Sequence, residues 1–147
     1  MAPTEPLLLD TNILVYAVDA SSEHHAASRT ILERAHSPVA GLCVVPQSLA
    51  EFYSLVTNPK RVSSPQPPAE ALATVESIVS LPGLEVLPVP LDVVARWVEL
   101  CRVHPVKGAE IYDLQIVAVM LANGIRRICT FDKTDFESFS EITVETP

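Results

Sequence analysis

Apolar residues along this chain alternate between two rhythms: short unbroken runs, and longer stretches with a period near that of an α-helix. Leu7–Leu9 is a wholly apolar run ending at Asp10, the pattern of a central strand covered on both faces. Comparable short runs over residues 42–45, 84–89, 127–131 and 142–144 predict four more strands. Between the strands, helical spacing predicts helices over residues 12–18, 23–35, from Pro46 to near Asn58-Pro59, from Pro68 to about Ser80, 91–103 and 109–122. Ala27, Ile31, Leu32 and Ala35 form the apolar face of the second helix, and Leu49, Phe52, Leu55 and Val56 that of the third. Proline and glycine supply the punctuation: Pro46 opens a helix, Pro82-Gly83 stops one, and Asn123-Gly124 caps the last. Strands alternating with helices imply βαβ units. The predicted fold is therefore α/β, a central parallel sheet of about five short strands with helices on both faces.

No repeat or linker divides the chain, so residues 1–147 are expected to form a single domain. The one low-complexity stretch, VSSPQPP at residues 62–68, reads as a loop before a helix. A chain of this length supports one ordinary core. Its 48% hydrophobic content excludes disorder. No window approaches the ~18 uncharged apolar residues of a membrane span. The opening MAPTEP carries no positive charge, so no signal peptide is expected. Cys43, Cys101 and Cys129 are odd in number and lack any C-x-x-C spacing, which points to a reducing, cytoplasmic setting and to small core hydrophobes. His24, His25, His36 and His104 make no metal-binding pattern and read as solvated.

The net charge of −8 accompanies a mean hydropathy of +0.29. Such an acidic chain should repel a phosphate backbone at long range. The positions of the acids alter that reading. Ligands of open α/β sheets bind beyond the carboxyl ends of the strands, and Asp10 and Asp132 both stand just past a predicted strand. Either could serve only as a turn or capping residue. Asp113 shares a helix face with Val117, Met120 and Leu121, where an unpaired carboxylate would be costly. Glu51 lies between Ala50 and Phe52, and taken singly it reads as a solvated glutamate. Asp135 shares the loop of Asp132. Together these acids converge on one sheet edge, where like charges need protons or cations to coexist. An oxygen-only set selects Mg²⁺ or Mn²⁺ over zinc.

The stretches LLLDTNILVYA (residues 7–17), PQSLAEFYSLVTNP (46–59) and IYDLQIVAVMLANGIRRICTFDKTDF (111–136) resemble the PIN-domain ribonucleases, and among them the VapC-type toxins of bacterial toxin–antitoxin pairs. The likeness runs in order over almost the whole chain: Asp, Glu, Asp, then T-x-D-x-x-D-F. It implies that Asp10, Glu51, Asp113 and an acid of the last motif hold Mg²⁺, with Asp132 favoured over Asp135 as the fourth. It implies supporting roles for Thr11, Asn12 and Thr130. The chemistry implied is hydrolysis of an RNA phosphodiester with one or two Mg²⁺ ions activating water, Mn²⁺ substituting. Also implied are a small antitoxin partner, which would place a basic residue among the carboxylates, and a homodimer.

RNA would be held by cations outside the pocket, of which Lys60, Arg61, Lys107 and Lys133 are the best placed. With 5% aromatics no base-stacking platform is expected, so a folded transfer or ribosomal RNA is favoured over a single strand. Two other readings compete. A haloacid-dehalogenase-type phosphatase would use Asp10 as nucleophile but wants a second Asp where this chain has Asn12. A catalytically silent PIN scaffold would bind only protein, although all four acid positions are filled. Setting aside the five candidate acids leaves 13 acids against 10 bases, a balance of −3. The excess acidity is thus local to the expected site.

Overall fold

The computed structural model describes residues 5–147; residues 1–4, on which the expectation about a signal peptide chiefly rests, lie outside the described residues. Five strands form one wholly parallel sheet: β1 (Leu7–Leu9), β2 (Leu42–Val44), β3 (Leu84–Val86), β4 (Arg127–Cys129) and β5 (Thr143–Glu145). Their order across the sheet is β3-β2-β1-β4-β5. The helices are α1 (Thr11–Val18), α2 (His25–Glu33), α3 (Pro46–Val56), α4 (Pro68–Val79), α5 (Val93–Val103) and α6 (Glu110–Ala122). No helix among the described residues is long and apolar enough to cross a membrane.

Side chains alternate across a strand, so each apolar run feeds two cores at once. Leu7, Leu9, Leu42, Val44, Leu84 and Cys129 turn to one face and pack with α1, α2, α3 and α4 around the fully buried Phe52. Leu8, Cys43 and Ile128 turn to the other and pack with α5, α6 and the fully buried Phe136 and Met120. This is why the central strands are continuously apolar rather than alternating. All three cysteines are free, and burial raises the Cys43 and Cys129 thiols to about 12 and about 11, with nearby carboxylates adding to the rise.

The differences from the predicted elements have local causes. β3 stops at Val86 rather than residue 89: Leu87 still donates its N–H to Val44 (2.9 Å), but Pro88 and Pro90 have none to offer. β4 stops at Cys129 rather than residue 131, because the Thr130 hydroxyl takes up the backbone N–H of Asp132 and turns the chain. The second helix starts at His25 rather than residue 23, and its buried face is carried by Ser28 and Ile31 while Ala27 is exposed. Leu91, predicted to open α5, stands wholly in solvent ahead of it.

At the amino ends of the strands the chain is held tightly. Gly83 donates its N–H to Ala35 (2.7 Å), and a Cβ there would lie 2.1 Å from the Ser37 carbonyl oxygen. Gly124, just past α6, has φ +71, a backbone conformation that favours glycine.

From β1 the chain proceeds outward through β2 to β3, then crosses back to place β4 and β5 on the other side of β1. That reversal opens a crevice at the carboxyl ends of β1 and β4.

Candidate acidic active site

The carboxyl end of β1 runs directly into α1 through Asp10, whose extended backbone (φ −71, ψ 160) ends one element and begins the next. Its Oδ1 accepts the Thr11 backbone N–H at 2.8 Å, an N-terminal cap. Its Oδ2 accepts the Thr130 hydroxyl at 2.7 Å from the neighbouring strand end. Asp10 is therefore both a helix-capping residue and a crevice acid, one oxygen for each.

Thr130, fully buried, is the hub of this corner. Its single hydroxyl proton goes to Asp10, while its oxygen accepts from the Asp132 N–H (3.0 Å) and from Asn12 Nδ2 (3.2 Å). Asn12 Nδ2 also reaches Asp132 Oδ2 (3.1 Å) and lies 3.5 Å from Asp10 Oδ2. Its Oδ1 accepts the Phe131 N–H at 3.4 Å. The opposite amide orientation would turn Oδ1 against two carboxylates and Nδ2 against an N–H. Asn12 thus ties the β1 and β4 ends together. An amide so committed is not the second acid that a dehalogenase-type phosphatase would require.

The other acids arrive from the helices. Glu51, exposed on α3 as expected, also accepts the Thr11 hydroxyl at 3.0 Å, which ties its carboxylate to the start of α1 beside Asp10. Asp113 lies half-buried in the first turn of α6, beside the core residues Leu114 and Val117. Burial, then the charges of Asp135, Asp10, Glu51 and Asp132, raises its carboxyl from 3.8 to about 7. Asp10 is raised to about 6, chiefly by burial and further by Asp132 and Glu51, against the lowering effect of Thr130 and Thr11. Asp135, in the helical turn Lys133–Asp135, is raised by burial, Asp132 and Glu110. The fold thus makes electrostatic neighbours of all five acids.

Among the described residues, no three His, Cys, Asp or Glu side chains already close around one point as ligands to a single ion. Mg²⁺ keeps several waters and takes only one or two carboxylates from the protein, whereas zinc is held chiefly by Cys and His. The charges acting most strongly on Asp10 and Asp113 are all carboxylates, so the donor chemistry fits a hard divalent cation.

Lys60 and Arg61 lie in the turn after α3, Lys107 in the loop before α6 and Lys133 just past Asp132, all exposed. Among the described residues Arg29, Arg96, Arg102 and Arg127 are engaged by acids, and none of these four candidates is.

Two features were not read from the sequence. Gln115 Nε2 donates to Gln47 Oε1 at 3.1 Å and Gln47 Nε2 to the Tyr112 carbonyl at 3.3 Å, bridging the helices that carry Asp113 and Glu51. The second is a cluster of rings. His24 stacks on Phe131 with centroids 4.1 Å apart, and Tyr16 meets both. The histidines are correspondingly less solvated than expected: His25 Nδ1 bonds the Tyr16 carbonyl oxygen (2.8 Å), His104 Nε2 bonds Glu141 (2.8 Å), and only His36 is exposed. Tyr16 could have been anticipated, being one helical turn after Asn12, and Phe131 adjoins Asp132; nothing in the sequence points to His24.

A family model described as PIN domain matches residues 7–142. Ribonuclease VapC43 of Mycobacterium tuberculosis and VapC ribonuclease Mb2897 of Mycobacterium bovis are each 34% identical over 77 residues, covering 52% of this chain and 52% of theirs. The chain thus spans about half the length of the curated relatives it matches. Among solved structures, the sarcin-ricin loop cleaving toxin VapC20 of Mycobacterium tuberculosis has a TM-score of 0.66 at 19% identity, with 90% of this chain and 95% of that one covered. VapBC2 of Rickettsia felis, bound to a promoter DNA fragment, has a TM-score of 0.63 at 18% identity over 96% of this chain and 98% of that one. These likenesses establish a shared fold.

Proposed function

Because the chain belongs to the PIN domain family, we propose that it is a metal-dependent endoribonuclease, the toxin of a VapBC-type toxin–antitoxin pair. The observation that carries this reading is the convergence of Asp10, Glu51, Asp113, Asp132 and Asp135 on the crevice where the strand order reverses. A buried structural role would have paired these carboxylates with cations; among the described residues none of the five forms an ion pair, and the charges acting on Asp10 and Asp113 are those of the others.

Asp10 and Asp113 would be the primary holders of Mg²⁺, with Glu51 and Asp132, or Asp135 in its place, completing the set. When bound, the cation polarises the phosphate and lowers the pKa of an attacking water. The chain's own groups do the rest. Thr130 and Asn12 fix the Asp10 and Asp132 carboxylates relative to each other, so their oxygens need no rearrangement when the phosphate arrives. Thr11 holds Glu51 toward the same crevice, where its free oxygen can accept a proton from the attacking water. No side chain acts as a nucleophile. Lys60, Arg61, Lys107 and Lys133 would hold the RNA, a transfer or ribosomal RNA.

The VapBC complexes among the structural neighbours support a small cognate antitoxin as protein partner. On the resemblance alone, this partner would present a basic group to the acids, and the working form would be a homodimer. The test is incubation of the protein with total RNA in Mg²⁺ or in chelator, beside Asp113→Asn, with the cut ends mapped. We expect discrete cleavage by the unmodified protein in Mg²⁺ alone, and growth arrest on expression. Cleavage or growth arrest by Asp113→Asn would refute the assignment.

A further inference from the structure

Beside the acids lies a surface that the proposed hydrolysis does not use. His24 and Phe131 are stacked at an interplanar angle of 26°, and Tyr16 packs edge-on against Phe131 at 5.4 Å. Phe131 sits between Thr130 and Asp132, and its N–H is held by Asn12, so the stack is anchored in the same hydrogen-bond network as the candidate acids. Tyr16 follows Asn12 by one turn of α1, a separation of about 5–6 Å between Cβ atoms and of the order of the reach from a phosphate to its own base.

The outer ring is partly open, and the backbone that carries it is held. His24 keeps 38% of its side chain in solvent although one ring face lies on Phe131. Its N–H donates to Ser22 Oγ (3.0 Å), and the next residue, His25, is pinned to the Tyr16 carbonyl oxygen. Glu23 Oε1, 3.5 Å from His24 Nε2, occupies part of the ring edge, which directs an incoming aromatic group toward the outer face. The side chain makes no helix-capping bond, although the residue stands at the start of α2.

We propose that the His24–Phe131 stack is a nucleobase platform: one base of the RNA lies on the outer face of His24 and so sets the position of the adjoining phosphate over the acids. This rests on the ribonuclease reading, deepens it, and replaces the expectation that so few aromatics leave no stacking surface. Stacking accepts any base, so the platform contributes affinity and register more than sequence choice.

The test compares binding of a short fluorescent single-stranded RNA with that of the same strand bearing abasic sites. Binding is read in Mg²⁺ on an Asp113→Asn background that leaves the strand whole, with cleavage of total RNA by the unmodified chain run in parallel. Expected is a preference of about tenfold for the base-bearing strand, lost in His24→Leu and kept in His24→Phe. The thermal midpoint should not change in either variant. In the cleaving chain, His24→Leu should raise KM and leave kcat. Cleavage by the unmodified chain with equal binding of the base-bearing and abasic strands, or a preference for the base-bearing strand that survives His24→Leu, overturns the platform and leaves the nuclease reading standing. A parallel fall in midpoint and kcat would mark the stack as packing alone and overturn it too. If the unmodified chain neither cuts nor binds RNA, both readings fall.

Discussion

Asp113 is the residue whose environment most clearly works against folding. An Asp carboxyl raised from 3.8 to about 7 takes up, in the folded metal-free chain, a proton that the unfolded chain gives away. Stability therefore falls as pH rises from about 4 to about 7, and the full penalty is present above that. Asp113→Asn removes it. Urea unfolding in chelator should find the variant more stable by roughly 1–2 kcal/mol at pH 8, after discounting for water's access to the group, and no more stable near pH 4. A gain that did not depend on pH would show that burial and the neighbouring charges do not raise the Asp113 carboxyl. The supporting residues divide differently. Thr11, Asn12 and Thr130 were legible as neighbours of the acids in the motifs, but their connections were not. A sequence does not say that one hydroxyl is shared between Asp10 and the Asp132 backbone, because that sharing depends on β1 and β4 lying side by side.

At the scale of elements, the alternation of short apolar runs with helical periods was enough to place all five strands and six helices. It failed at their ends, where single backbone donors decide. The missing N–H of Pro88 and Pro90 and the Thr130 hydroxyl shortened two strands that hydrophobicity alone would have extended. It also failed for packing between distant elements: the rings of His24 and Phe131 meet only because α2 starts beside the loop after β4. The two rims of the sheet have separate duties, and this can be checked. Gly83 sits at the amino rim, where a methyl group would strike the Ser37 carbonyl. Gly83→Ala should cost about 1–3 kcal/mol in a thermal melt while leaving the specific activity of the folded fraction unchanged. Lost activity in a fully folded variant would contradict that separation.

For the whole molecule, a charge of −8 no longer describes a uniformly repulsive body. Five of the acids are electrostatic neighbours of one another, and the four arginines engaged by acids are not among the proposed RNA-binding side chains. Lys60 and Arg61 should then act as sequence-blind partners of the phosphates. Replacing both with alanine should weaken RNA binding evenly across sequences and flatten the salt dependence of log K by about 0.7 for each single-strand phosphate no longer neutralised. A titration over sodium chloride with an unchanged slope would remove them from the interface.

The double duty of Asp10 reaches beyond this one molecule. Its two oxygens serve different masters, one starting a helix and the other facing the crevice. Asp113 has no such second obligation. A lineage released from cutting RNA could discard Asp113 and gain stability, but discarding Asp10 would unseat the first helix. An inactive descendant of this fold should therefore still carry Asp, or the equally good capping residue Asn, after its first strand. Survival of that one residue in a relative is a record of folding, and only the company it keeps on α3, α6 and the loop after β4 is a record of catalysis.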